Sequence, residues 1–363
     1  MSGIWTKQQA WDWVNARPWI RGFNGYPQNC VNRIALWQKY NHEEVFRQIE
    51  AEFALAKETG FNAVRTIIEF EVWLYEHDSF MSNLEEYFTL ADKYGIKVML
   101  VLGNDCRVPK DFYSFQLGEQ HVDWGYHSGI KRGQHSNTHS DMGYELIDEP
   151  EYREKFFEMV EELAAKYAHD ERLQIWNVWN ELGNSRRHAM SVPVMEKACE
   201  IIRSHDQIQP ITVDVWTYTK DCKPVPGVQE RAIALSDVIS FHNYSSFGTF
   251  VRVLKAMQSF GRPVFCTEWL NRITGNLVEQ VFPLLYLEHV GSYHWGLIQG
   301  YSQTYEPWGC YNAEIADPNY NGPHDLTALQ HDLYRFSGLP YKAKEVAIIK
   351  EFSSLADEDF KNK

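Results

Sequence analysis

The chain has no run of basic residues, no apolar stretch approaching the roughly 20 residues that a membrane-spanning helix needs, and no Cys-x-x-Cys pair. Each absence removes a class of function. With Lys+Arg at 35, Asp+Glu at 49 and a formal net charge of −14, the surface repels a phosphate backbone, so nucleic acid is not an expected partner. The cysteines Cys30, Cys106, Cys199, Cys222, Cys266 and Cys310 lie far apart, which favours reduced thiols over a zinc site or a disulfide framework. The first residues, MSGIWTKQQAWD, offer a single Lys and none of the apolar core of a signal sequence. A cytoplasmic protein with no membrane partner is the expectation.

What the chain has in excess is aromatic rings. Trp 13, Tyr 20 and Phe 20 make up 15% of the residues, and many of the Trp stand beside polar residues at predicted strand ends. That combination suits a carbohydrate site, where the flat apolar face of a sugar stacks on an indole while its hydroxyls meet polar side chains.

From residue 19 onward, short β-branched or aromatic runs alternate with segments of helical period, the pattern of parallel strands joined by helical crossovers. Eight strands are predicted, at 19–24, 62–67, 97–102, 174–180, 211–215, 238–244, 263–269 and 292–297. Between them, segments 43–58, 82–94, 151–168 and 191–205 space apolar residues at i, i+3, i+4 and i+7, as surface helices do. The stretches TGFNAVR, KYGIKVML and SFGRPVFC each set a Gly between helix and strand, where a left-handed cap is needed. Eight such units predict an α/β fold, one closed (β/α)8 TIM barrel over about 19–297, with a loop extension over 298–363 in a single catalytic domain of 1–363. Two interruptions follow strands three and eight, at 103–149 and 299–340. The second carries Trp308, Tyr311 and Tyr320, and both are read as walls of a pocket, because barrels keep their active sites at the C-terminal ends of the strands.

Strand four reads Gln174-Ile175-Trp176-Asn177-Val178-Trp179-Asn180-Glu181, and strand seven reads Pro263-Val264-Phe265-Cys266-Thr267-Glu268-Trp269. Each is an apolar strand ending in a carboxylic acid. Two carboxylates topping opposite strands of one barrel suit glycoside hydrolysis with retention, which needs such a pair about 5 Å apart, one to donate a proton and one to attack.

Trp179-Asn180-Glu181, Thr267-Glu268-Trp269 and His242-Asn243-Tyr244 together resemble the signature of clan A glycoside hydrolases, nearest to its cellulase and mannanase group. The resemblance implies Glu181 as general acid/base and Glu268 as nucleophile. It further implies that Asn180 binds a sugar hydroxyl, that Arg65 keeps Glu268 ionised, that Tyr244 bonds Glu268, that His242 faces substrate and that Trp295 is the platform beneath the reacting sugar. Asn24, Asp105 and Trp269 complete the expected substrate-binding set. The environment of each acid is expected to separate their proton affinities, raising that of Glu181 beside Trp179 and lowering that of Glu268 beside Arg65.

Bland alternatives stand beside these readings: Arg65 as a structural ion pair, and His242 and Tyr244 as satisfied core groups. His121, His127, His135, His139 and Asp141 invite a metal reading, but the i, i+4 spacing of His135 and His139 is diagnostic only on a helix and the segment reads as loop. Two carboxylates need neither metal nor cofactor, and none is expected. The resulting expectation is a retaining glycoside hydrolase, exo-acting on oligosaccharides or glycosides. An endo-acting cellulase, mannanase or xylanase type and a non-catalytic sugar-binding barrel are its rivals.

Overall fold

Strands β1 (Arg21–Asn24), β2 (Ala63–Ile67), β3 (Lys97–Asn104), β4 (Leu173–Asn180), β5 (Ile211–Val213), β6 (Ile239–His242), β7 (Val264–Glu268) and β8 (Gly291–Trp295) are buried almost throughout. Burial of both strand faces is what a parallel barrel demands, since helices cover one face and the lumen takes the other. The computed structural model describes residues 3–129, 141–311, 318–319 and 325–363. Its strands follow the order β5-β4-β3-β2-β1-β8-β7-β6. The ring closes through a parallel bridge between Val215 and Phe241, with the Val215 amide donating to Ser240 O at 3.0 Å and the His242 amide to Val215 O at 2.9 Å. The expected (β/α)8 barrel is therefore observed.

Helix α1 (Lys7–Asn15) precedes β1; α2 (Arg33–Trp37) and α3 (His42–Thr59) follow it, and α4 (Phe70–Tyr75) and α5 (His77–Lys93) follow β2. The remaining crossovers are α6 (Pro150–Tyr167), α7 (Val192–Ser204), α8 (Val228–Leu235), α9 (Phe247–Gln258) and α10 (Val278–Leu287). In α3 the buried residues Val45, Phe46, Ile49, Phe53 and Ala56 form one helical stripe against the barrel. The helix stops at Gly60, whose φ of 103° is unfavourable for a side chain and whose amide donates to Ala56 O at 3.1 Å. No helix among the described residues is long and apolar enough to cross a membrane.

Two features lay outside the predicted pattern. Helix α1, capped by reciprocal bonds between Thr6 and Gln9, closes the N-terminal end of the barrel by setting Ala10 against Ile20, Ala63, Met99, Ile175, Val238, Phe265 and Tyr293. Residues 343–361, predicted as loop, form helix α11 (Ala343–Lys361). Its buried Glu345 takes a bidentate bond from Arg272, at 2.9 Å from Nε and 2.5 Å from Nη2, which ties the last helix to the loop after β7.

The loops after β3 and β8 meet over the barrel mouth. Gln303 accepts the Gly125 amide at 2.7 Å and donates to Asp123 O at 2.8 Å. His127 bridges Glu306 O, 2.8 Å from Nδ1, and the Trp308 indole N–H, 3.2 Å from Nε2. Opposite, Gln28 of the β1 loop donates to Gln299 O at 2.9 Å and Phe336 O at 3.0 Å. His135, His139 and Tyr320 lie outside the described residues.

Candidate active site

Glu268 is the last residue of β7, where the pairing with β6 slips by one residue, so that His242 lies opposite Glu268, and the carboxyl reaches the lumen, 5% exposed. Oε1 accepts from Arg65 Nη1 at 2.9 Å and Oε2 from the Tyr244 hydroxyl at 2.8 Å. Glu181 follows the last residue of β4 and adopts a left-handed φ of 47°. A non-glycine residue holds that conformation only where its surroundings leave no other. Here the next turn is pinned by the Gly183 amide on Asp105 Oδ2 at 2.6 Å, the Asn184 amide on Glu181 O at 2.9 Å, and the Trp216 indole on Leu182 O at 3.0 Å. The turn aims the Glu181 side chain back over the mouth. One oxygen of Glu181, one of Glu268 and one nitrogen of His242 lie within 4.8 Å of one another.

Beneath the pair, Arg65 is buried with every N–H engaged. Nε donates to Asn177 Oδ1 at 2.8 Å, Nη1 to Asn24 Oδ1 at 2.7 Å and to Glu268, and Nη2 to Asn180 Oδ1 at 2.6 Å and Asp214 Oδ2 at 2.7 Å. A guanidinium so saturated cannot turn away from Glu268. Asn24 is a brace in the same net, donating to Thr267 O and His294 O, and Asn180 donates onward to Asn104 Oδ1 at 2.7 Å. Trp295, half-buried at the end of β8, stands 5.7 Å from the Tyr26 ring on the rim.

Asp105 and Trp269 lie elsewhere. Asp105 is fully buried and receives Arg187 Nε at 2.9 Å and the Ser191 hydroxyl at 2.6 Å, so it anchors the loop after β4 from beneath. The Trp269 indole donates to Ser292 Oγ at 3.0 Å and packs near Phe282 of α10, on the helix side of the sheet. The register slip that brings Glu268 into the lumen carries Trp269 to the helix side with it.

Asp214, Asn104, Cys106 and Asn184 belong to the site although the sequence analysis did not single them out. Asp214 closes the apolar run Ile-Thr-Val of β5, the same signal that marked Glu181 and Glu268. It is fully buried, bonded to Arg65 and to the Thr267 hydroxyl at 2.9 Å. Cys106 and Asn184 both donate to Glu181 Oε2, the thiol at 2.9 Å.

The charges settle as follows. Burial disfavours the charge on His242, but Glu268 and Asp214 outweigh it and push the imidazole up to about 10. Its Nδ1–H sits 2.9 Å from Glu181 Oε1 and 3.3 Å from Glu268 Oε2. Burial raises Glu181, yet the donors His242, Cys106 and Asn184 hold its carboxyl below the usual range. Burial pushes Glu268 up to about 7 against the pull of His242 and Arg65. Asp214, also buried, is held well below the carboxylate range by Arg65 and His242. The order of the two acids is thus the reverse of the sequence expectation, because the His242 imidazolium directs its N–H at Glu181 and stabilises that carboxylate.

Residues 22–291 match the model of Cellulase (glycosyl hydrolase family 5). No curated protein sequence matches the chain. Among solved structures, the endo-β-1,4-mannanase of Thermotoga petrophila is similar in fold, with 16% identity, 95% of this chain and 78% of that one covered, and a TM-score of 0.56. The endo-1,4-β-mannanase of Rhizomucor miehei shares 13% identity over 94% of this chain and 95% of its own, with a TM-score of 0.57. The endoglucanase of Thermotoga maritima shares 14% over 82% and 93%, with a TM-score of 0.51. With a family model matching more than half its length and a barrel of the same fold, the chain belongs to glycosyl hydrolase family 5, and it is a glycoside hydrolase acting on a carbohydrate substrate.

Proposed function

We propose that the protein hydrolyses glycosides with retention by double displacement, with Glu268 as nucleophile and Glu181 as general acid/base. The observation that carries this reading is the approach of the two carboxyls to within 4.8 Å of each other and of His242, the separation at which one carboxyl reaches the anomeric carbon directly and no water fits between as attacking group. In the first step a Glu268 oxygen forms a bond to the anomeric carbon, the glycosidic C–O bond breaks, and the leaving oxygen takes the proton of Glu181. In the second, water attacks that carbon, gives its proton to Glu181, and the ester to Glu268 breaks.

Glu181 obtains its first proton from His242. The Nδ1–H of the imidazolium already lies on Oε1, so one short transfer turns the pair into imidazole and carboxylic acid. A sugar closing over Glu181, whose side chain is 13% exposed, removes the remaining water and drives that transfer, because burial disfavours a charged carboxylate. Arg65 and Tyr244, on opposite oxygens of Glu268, hold the nucleophile ionised and in one rotamer as the proton moves. Asn180, Trp295 and His242 position the sugar, while Asn24 keeps Arg65 in place.

Exo action on oligosaccharides or glycosides is the finer reading. It is supported by the wall that the loops after β3 and β8 build across one side of the mouth, whose Trp308 ring meets Tyr244 edge-on at 5.0 Å. Internal cleavage is the second reading, favoured by the printed activities of the mannanases and the endoglucanase of similar fold, and these make mannose- and glucose-configured β-linked oligosaccharides the first substrates to try. Trapping with an activated 2-deoxy-2-fluoroglycoside should add one glycosyl mass to the peptide bearing Glu268. A label on any other residue sinks the nucleophile assignment. Products from a reduced-end-labelled hexasaccharide separate the finer readings, single sugars lost from the unlabelled end for exo action and mid-chain fragments for endo action.

A further inference from the structure

Cys106 is the exposed cysteine of the described chain, and it stands against the buried face of the acid/base turn. Its backbone amide is fixed on Asn104 Oδ1 at 3.0 Å, just past the end of β3. Its sulfur lies 2.9 Å from Glu181 Oε2 and receives two amide groups, Asn184 Nδ2 at 3.3 Å and Asn180 Nδ2 at 3.5 Å. Two N–H donors pointing at sulfur leave the S–H a single direction, toward the carboxylate. Although the residue as a whole is exposed, its sulfur is packed against Glu181, Asn184 and Asn180, and desolvation there together with the Glu181 charge raises the thiol well above its ordinary value, so it is a donor and not a thiolate.

We propose that Cys106 is a positioning residue of the acid/base: its thiol fixes the rotamer of Glu181 and, as a weak donor, sets how firmly that carboxyl holds its proton. The inference rests on Glu181 acting as general acid. A general acid hydrogen-bonded by strong donors alone would remain ionised and fail to protonate the leaving group. A thiol satisfies Oε2 and holds the geometry while stabilising the charge less than a hydroxyl does. The other ionisable groups around Glu181 are His242 of β6, Glu268 of β7, and Tyr218 and Tyr244 beyond β5 and β6. None of them touches Oε2, the oxygen that Cys106 shares with Asn184.

The test compares Cys106→Ser and Cys106→Ala in the full chain by the pH profile of kcat/KM. Glu181 and His242 share one proton across the Nδ1–Oε1 bond, and the alkaline limb reports its loss from that pair in the free enzyme. Serine, a stronger donor to the carboxylate, is expected to move that limb to lower pH, and alanine, which removes the donor, to higher pH, each by about half a pH unit. Displacement of both in the same direction, or a fall in rate with an unmoved limb, overturns the proposal and leaves Cys106 a packing residue. If the wild type turns over none of the glycosides tested, the catalytic reading itself has failed. The donor role is then read from a 13C NMR titration of the Glu181 carboxyl, assigned by Glu181→Gln. Midpoints ordered serine, wild type, alanine from low to high pH support it, and coincident curves overturn it.

Discussion

At its N-terminal end the barrel lumen is lined by Ile20, Ala63, Met99, Ile175, Val238, Phe265 and Tyr293, with Ala10 of α1 as a stopper. Two residues further along the same strands, Ala63 gives way to Arg65, Ile175 to Asn177 and Phe265 to Thr267, all still buried. The step of two keeps the side chain on the lumen face and moves it one layer up. Both layers are equally dry, but one is held by apolar packing and the other by hydrogen bonds to ions. The apolar layer is stable in any protonation state. The ionic layer is stable only while each charge keeps its partners, since an unpaired buried charge costs several kcal/mol. The difference places stability and chemistry at opposite ends of one lumen.

The sharpest way to separate the layers is to remove a reacting group from the upper one. Glu268→Ala should lower kcat by more than about 10⁴-fold, with the thermal midpoint close to that of the wild type, because its partners Arg65 and Tyr244 keep other contacts or reach water. A large loss of stability with retained turnover would break the comparison. Arg65→Met should do both kinds of damage. It removes the Arg65 cation from buried Asp214, leaving only His242 at 3.5 Å, and is expected to destabilise by about 3 kcal/mol in urea unfolding, in addition to abolishing turnover. In the apolar layer, Ile175→Val should cost about 1 kcal/mol and leave the pH profile of kcat/KM where it was. A shifted profile would show that the two layers are coupled through the strands.

The same contrast explains how much was legible in the sequence. Periodicity finds strands by their apolar residues, so all eight were placed, and the acids at their ends stood out against that background. Trp269 was misplaced because the alternation that sets Phe265 and Thr267 in the lumen slips by one residue before Glu268, a break in register that the sequence pattern does not show. At β4 the alternation breaks in another way, through the left-handed backbone of Glu181, which lets Asn180 and Glu181 serve one site. Asp214 went unremarked because an acid in an apolar strand gains meaning only from the cation it meets, and Arg65 lies 149 residues away in the chain. Helix α11 was hidden behind a polar segment whose anchor, Glu345, has its partner Arg272 in a different loop. The order of the acids depended on a third group, His242, sitting between them at distances that strand patterns do not encode.

The smallest effect tests that order directly. Burial outweighs Arg65 and His242 and raises Glu268 to about 7, above its ordinary carboxylate value, so in the free enzyme the nucleophile is protonated below that pH and ionised above it. Attack needs the ionised form, and kcat/KM should therefore fall as pH drops through about 7, not through the ordinary range near 4. Tyr244→Phe removes a donor to the ionised form, at 2.8 Å from Oε2. Loss of that bond makes ionisation harder, and the acid limb should move to still higher pH by about half a unit. A wild-type limb near 4 that the variant leaves in place would mean that Arg65 and His242 outweigh burial after all, and that the upper layer holds its charges as firmly as the lower layer holds its methyl groups.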